Sequence, residues 1–231
     1  MKMKKQILSL TTLLIAAGIS TAYPVAAADD LGPKSSVAQL TVDPGNIVLQ
    51  QVPDLNFGGI SVYEIVSGQF TKHALRSNKV NQGPVKNSTN ANDGNASGLL
   101  QVGDYRGTSA GWTLTAKMDA LTDGKGHFLE GYIDLVGTNP TTSNPDLNAV
   151  HPAGSQAPRL NFAKDQQTPE TVVWRADAAS ATSTGQGQGN NQVTIGAGTE
   201  LTLVSSPINV TTQVGRYQAA ITWTLANAPQ P

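Results

Sequence analysis

The chain contains the tripeptide Trp-Thr-Leu twice, in "RGTSAGWTLTAKM" (residues 106–118) and in "YQAAITWTLANAP" (residues 217–229). In both stretches apolar side chains alternate with mostly polar ones, and threonine separates the Trp from the Leu. A period of two places the Trp and the Leu on one face of an extended strand, whereas side chains two positions apart on a helix point in nearly opposite directions. The two stretches therefore predict two β-strands, each with an apolar face and a face lined by threonine.

Two roles are open for Trp112 and Trp223. Their neighbours on the apolar stripe are aliphatic, which favours packing in a core, and Trp174 in "TVVWRA" follows two valines in the same way. Exposed, roughly coplanar tryptophans would instead stack on sugar rings. The sequence favours the core role and leaves the sugar-binding role open.

The rest of the chain also favours strands. After the first thirty residues, no segment keeps a 3.6-residue apolar period for three turns. Short apolar runs alternate with turn residues such as Asp43-Pro44-Gly45. We interpret residues 78–98 and 137–158 as two long surface loops, and residues 183–192 form a third polar stretch. These patterns predict an all-β fold, a single-domain sandwich of about ten to twelve strands.

The first thirty residues are typical of a secretory signal peptide. Three lysines lie within the first five residues, a mostly apolar segment runs from Ile7 to Ile19, and Ala26–Ala28 fits the small-residue cleavage rule. We therefore predict a signal peptide over residues 1–28, a linker over 29–35 and one domain over 36–229. No later stretch is apolar enough to cross a membrane, and we read no covalent sorting signal, so we predict no transmembrane segment after cleavage.

Composition narrows the function classes. The chain has 15 basic and 16 acidic residues; the predicted signal peptide holds three lysines and no acid, which leaves 12 basic and 16 acidic residues and a net charge near −4. Nucleic acid binding needs a basic face, so we predict no nucleic acid partner. The chain has no cysteine, so its core must stabilise it without disulfides.

No pattern in the sequence predicts catalysis, a metal or another cofactor. The histidines, His73, His127 and His151, lie far apart in the sequence without metal-ligand spacing. A glycosidase would need two carboxylates facing across a cleft, and Glu64 and Glu130 are candidates for that pair. Asp104 and Asp134 are also available, but carboxylates at alternating strand positions are usually solvated. We predict a protein without enzymatic activity.

The two tripeptides and their surroundings resemble the WxL surface proteins of Gram-positive bacteria. The resemblance rests on "GWTLTAKM" after "YRGTSA", on "YQAAITWTLANAP" close to the C-terminal end, on "LTVDPG" and "LNFG" upstream, and on "TVVWRADAAS" midway. It covers residues 36–229. Trp112 and Leu114 match the first family motif, and Trp223 and Leu225 match the second.

The resemblance implies a secreted protein held non-covalently at the cell surface, with peptidoglycan in the cell wall as its ligand. It also implies partnership with membrane-anchored WxL-interacting proteins. Two alternatives stay open: a scaffold that pairs with a partner's sheet edge and reaches the wall only through that partner, and a hydrolase of wall glycan.

Overall fold

The computed structural model describes residues 33, 35–67, 72–80, 94–141, 157–164, 168–204 and 213–228. The predicted signal peptide, the cleavage site and His151 lie outside the described residues. The chain divides into two units, one ending at Thr41 and one beginning at Val42. In the first unit, the described residues, 33 and 35–41, are exposed and form no regular secondary structure.

The second unit is built almost entirely from strands. The described elements in chain order are β1 (Ile47–Pro53), α1 (Val62–Val66), β2 (Lys72–Ala74), β3 (Gly94–Asn95), β4 (Leu99–Asp104), β5 (Trp112–Met118), β6 (Leu121–Thr122), β7 (Phe128–Leu129), β8 (Gly131–Asp134), β9 (Gly137–Thr141), β10 (Arg159–Phe162), β11 (Thr171–Ala176), β12 (Gly189–Ile195), β13 (Glu200–Leu203) and β14 (Ile221–Ala226). The prediction of an all-β fold is confirmed.

Hydrogen bonds between the described strands form four sheets. One has the order β3-β1-β4-β12-β9, a second β10-β8-β13-β2, a third β11-β5-β14, and β6 pairs with β7 alone. The pairings are antiparallel except for that between β1 and β3. Both tripeptides lie in the third sheet, on β5 and β14, so both are extended as predicted.

One hydrophobic core joins the larger sheets. Its largest fully buried side chains come from β4, β5, β8, β10, β11, β12 and the residue after β8: Leu100, Val102, Trp112, Leu114, Ile133, Leu135, Leu160, Phe162, Trp174, Val193 and Ile195. Burying a side chain of this size contributes roughly 1.5–3 kcal/mol, so the core can stabilise the domain without disulfides.

Val62–Val66 form the short helix α1, which begins after Ser61. Ser61 and Glu64 form a capping box: the Glu64 carboxylate accepts a hydrogen bond from the Ser61 amide (2.8 Å), and Ser61 Oγ accepts one from the Glu64 amide (3.2 Å). These bonds satisfy amides that the first helical turn leaves without partners, which favours α1 over a strand.

Both predicted loops, and the third polar stretch, contain strand residues. Gly94 and Asn95 form β3, and residues 137–141 form β9. In the third polar stretch, β12 begins at Gly189 and the side chain of Asn191 is fully buried. A buried polar group costs little when it is hydrogen-bonded. Asn191 Nδ2 donates to the carbonyl of Gly187 at 2.7 Å, whereas its Oδ1 has no hydrogen-bond partner among the described residues.

Candidate functional site

The two tripeptides lie side by side. β5 and β14 pair antiparallel in a register that places Leu114 opposite Leu225 and Ala116 opposite Trp223. β5 is the central strand, flanked by β11 on its other side, whereas β14 is at the end of the described sheet. The two motifs are therefore partners in one sheet but occupy different environments.

Trp112 is fully buried in the core. Its ring meets the ring of Trp174 edge-to-face, with centroids 5.3 Å apart, and its Nε1 donates a hydrogen bond to the carbonyl of Gly187 at 3.2 Å. Gly187 has a positive φ of 76°, and a Cβ there would collide with Trp112 Nε1 and the methyl group of Ala176. Trp112 therefore has no surface available to a ligand in this conformation.

The threonine face of β5 is covered as well. Thr113 and Thr115 are buried, and Thr115 Oγ1 donates to the carboxylate of Glu170 at 2.9 Å. Alternation along β5 predicted a threonine face, and the structure shows that this face also packs against protein.

Trp223 is only partly buried and lines a cleft of about 980 Å³. Tyr217 and Phe57, also partly buried, line the same cleft. The apolar lining beneath comes from β5, β6, β7, β8 and β13, through Met118, Leu121, Leu129, Ile133, Leu201 and Leu203. A large concavity with aromatic and polar groups is the usual form of a ligand site.

Polar groups complete the cleft. The Tyr217 hydroxyl donates to the Gln213 carbonyl (3.1 Å) and accepts from the Gln213 amide (3.2 Å), which fixes the ring beside the cleft. Asp54 also lines the cleft, and burial raises the pKa of its carboxyl. The cleft therefore combines aromatic surface with hydrogen-bonding groups.

Arg106 connects both motifs to one buried carboxylate. Its Nε and Nη2 donate to the two oxygens of Asp104 at 2.8 and 2.7 Å. Nη2 also donates to the carbonyl of Gly111, the residue before the first motif, and Nη1 donates to the carbonyl of Asn227, shortly after the second, each at 2.7 Å. This side chain holds the start of β5 against the end of β14.

The electrostatics of this connection favour the ionised pair. Burial alone would raise the pKa of Asp104, but the hydrogen bonds and positive charge of Arg106 outweigh it and hold the pKa below its usual value. The same pairing raises the pKa of Arg106. Both groups are thus charged at neutral pH.

A comparison with protein families identifies the chain. A family model described as "WxL domain surface cell wall-binding" matches residues 13–229. The chain belongs to this WxL family. Neither the search of curated proteins nor that of solved structures found a match for this WxL protein.

The carboxylates considered for catalysis in the WxL protein have structural partners. Glu64 caps α1, and hydrogen bonds from the Ser61 backbone and side chain lower the pKa of its carboxyl. Glu130 accepts from the Lys164 amide at 3.3 Å, and Asp134 binds Arg159 through two hydrogen bonds of 2.7 and 2.9 Å. These contacts account for all three groups without a catalytic role.

The described histidines of the WxL protein lie apart from the cleft lining. His73 is on β2, and His127 Nδ1 lies 2.7 Å from the Asp123 carboxylate in the turn between β6 and β7. Within the described ranges, no group of three His, Cys, Asp or Glu residues is placed to bind a metal ion. No helix among the described residues is long and apolar enough to cross a membrane.

The sequence alone did not identify Arg106 or Asn191 as important residues. It also did not identify Asp104 as the partner of Arg106. Arg106 lies five residues before Gly111, but this spacing indicates a link between the two motifs only once β5 and β14 are known to be neighbours. Asn191 lies within a glycine-rich polar stretch, where a buried amide has no distinguishing pattern.

Proposed function

We propose that this protein is a secreted, non-enzymatic module that attaches non-covalently to the peptidoglycan of a Gram-positive cell wall through the cleft beside β14. The signal-like residues 1–28 support export, and membership of a surface cell wall-binding family supports attachment at the wall. In this proposal, Trp223 and Leu225 of the second motif lie on the side of the domain that contacts the wall. Trp112 and Leu114 of the first motif stabilise the domain.

The observation that carries this proposal is the difference between the two motif tryptophans. Trp112 is enclosed by protein, whereas Trp223 lines a cleft together with Tyr217. Aromatic rings bind the apolar faces of sugar rings, and neighbouring polar groups such as Asp54 fix the orientation of a polar ligand.

Sedimentation with purified walls tests the proposal. Mature protein should sediment with Gram-positive walls stripped of protein and teichoic acid. Val214 is 90% exposed and lines the cleft, so Val214→Glu places a charge in the cleft without disturbing the core. We expect this variant to lose at least about tenfold in affinity, equivalent to roughly 1.4 kcal/mol.

Tyr105→Ala is the matched control, because Tyr105 is 50% exposed and is not part of the cleft lining. It should sediment like the wild type, and equal binding by the Val214 variant would contradict the role of the cleft. If stripped walls never retain the wild type but walls carrying a WxL-interacting protein do, the scaffold alternative replaces direct attachment.

The hydrolase alternative requires a different result. Incubation with walls would release soluble muropeptides, and Glu64→Gln and Glu130→Gln would abolish that release. We expect no release from the wild type, because both carboxylates accept hydrogen bonds in structural roles.

A further inference from the structure

β14 is an edge strand whose outward backbone groups have no partner among the described residues. The Asp119 amide donates to the Ala220 carbonyl, so alternation along the antiparallel ladder directs the backbone of residues 222, 224 and 226 toward β5. The amides and carbonyls of Ile221, Trp223 and Leu225 consequently point away from the sheet. Within the described ranges, no hydrogen bond joins these outward groups to another part of the chain.

This edge has none of the features that usually prevent strand addition. Proteins block edges with charged residues, proline or bulges, yet Ile221–Ala226 contains no charge and no proline, and its register with β5 is unbroken. The apolar side chains on one face are only partly buried, and Thr222 and Thr224 on the other face are exposed. An unblocked edge with exposed apolar surface is suited to accept another strand.

The chain also carries a segment that fits such an edge. In "VAQLTV", residues 37–42, Ala38, Leu40 and Val42 alternate with Gln39 and Thr41, and the segment is uncharged. Val37, Leu40 and Val42 are 93%, 86% and 85% exposed. A strand-forming, apolar sequence of this kind gains both backbone hydrogen bonds and apolar contacts when it joins a sheet edge.

We propose that residues 37–42 of one molecule add to the outer edge of β14 in a second copy of this chain. The donor and the acceptor each span six residues, Val37–Val42 and Ile221–Ala226. The Ala38-Leu40-Val42 face of the donor continues the apolar face of β14, and Gln39 and Thr41 continue the threonine face. Reciprocal exchange of the segment gives a two-fold symmetric dimer.

Self-association is measured without walls, so its outcome is separate from the sedimentation test, although the added strand would lie beside Trp223 at the cleft. The mature protein should form a dimer across a concentration series in analytical ultracentrifugation. The double variant Val37→Asp/Leu40→Asp changes only exposed residues and should be monomeric over the same range, since charges on the donor oppose strand addition. Val66→Asp, at a residue 58% exposed on α1, is the matched control and should dimerise like the wild type.

Amide hydrogen exchange identifies the edge that is used. In the dimer, the outward amides of Ile221, Trp223 and Leu225 should exchange at least about tenfold more slowly than in the double variant. The inward amides of Thr222 and Thr224 should be protected in both proteins. A wild type that stays monomeric up to millimolar concentration, a double variant that still dimerises, or outward amides that exchange equally fast in both proteins would each overturn the proposal.

Discussion

Leu114 and Leu225, the last residues of the two Trp-Thr-Leu motifs, are direct partners across β5 and β14. The repeat therefore marks two neighbouring strands of one sheet, although the Thr115 and Thr224 that follow and precede these leucines are 109 positions apart in the sequence. Because β5 is the central strand and β14 is at the end of the described sheet, the two identical motifs have different surroundings. The predictions below follow from that inequality and from the contacts around it.

Replacing Gly187 by alanine should destabilise the domain by about 2–4 kcal/mol, because the added methyl group collides with Trp112 and the positive φ disfavours a side chain. Gly107→Ala is the control: Gly107 has a φ of 70° but open space around its Cβ position, so only the backbone cost of about 1 kcal/mol applies. Urea unfolding measures both. Equal losses would show that the packing against Trp112 contributes nothing.

Trp112→Ala should reduce the free energy of unfolding by about 3–5 kcal/mol, since it empties a fully enclosed site. Trp223→Ala should cost less, because that ring is only partly buried and solvent can fill the space it leaves. Thermal and urea unfolding of the two variants check the order. A larger loss at Trp223 would contradict the assignment of the structural role to the first motif.

Acrylamide quenching should report Trp223 selectively. Trp112 and Trp174 are 0% and 1% exposed, so the quencher reaches the third tryptophan in the native state. Trp223→Phe should remove the quenchable part of the emission, whereas Trp112→Phe should leave it in place. Unchanged quenching in the Trp223 variant would mean that the ring is enclosed in solution.

Arg106→Ala should destabilise the domain by about 3–5 kcal/mol, because it leaves the Asp104 carboxylate buried without its cation. Arg106→Lys keeps the charge but loses the two-pronged geometry and the bonds to Gly111 and Asn227, so it should recover only part of the loss. Lys72→Ala breaks an exposed ion pair with Glu200 that solvent screens, so it should change stability far less than Arg106→Ala does. Similar losses for Arg106→Ala and Lys72→Ala would contradict the role of the buried connection.

The Asp104 carboxyl should also make stability fall in acid. Its pKa is lower in the folded protein than the ordinary value of 3.8, so its contribution is complete above that value and is lost as the pH falls through the lower folded pKa. The stability difference between the wild type and Asp104→Asn should therefore shrink below pH 3.8. In an Arg106→Ala background, burial is left to raise the pKa of Asp104, so the sign should reverse: the protein with Asp104 should gain stability relative to Asp104→Asn as the pH falls.

Alternation of side chains was enough to predict the extended motifs and the all-β fold, because period two is a local property of each strand. It did not identify α1, where the Ser61–Glu64 capping box favours a helix, or the burial of Asn191, which depends on carbonyls that only the folded chain brings near. Alternation also could not predict that Trp112 is fully buried whereas Trp223 is only partly buried. Both are followed by Thr-Leu, and the order of the strands gives them different surroundings.

The pairing of β5 with β14 also constrains when this sheet can be completed. Thr115 contacts the Thr224 carbonyl across 109 positions, so the sheet closes one of the longest loops in the described fold. Contacts of such high sequence separation slow folding. In a chain synthesised from its N-terminal end, Trp112 appears well before β14 and is packed fully only when its neighbouring strand arrives. Completion of this sheet therefore waits until β14, the last described strand, is available.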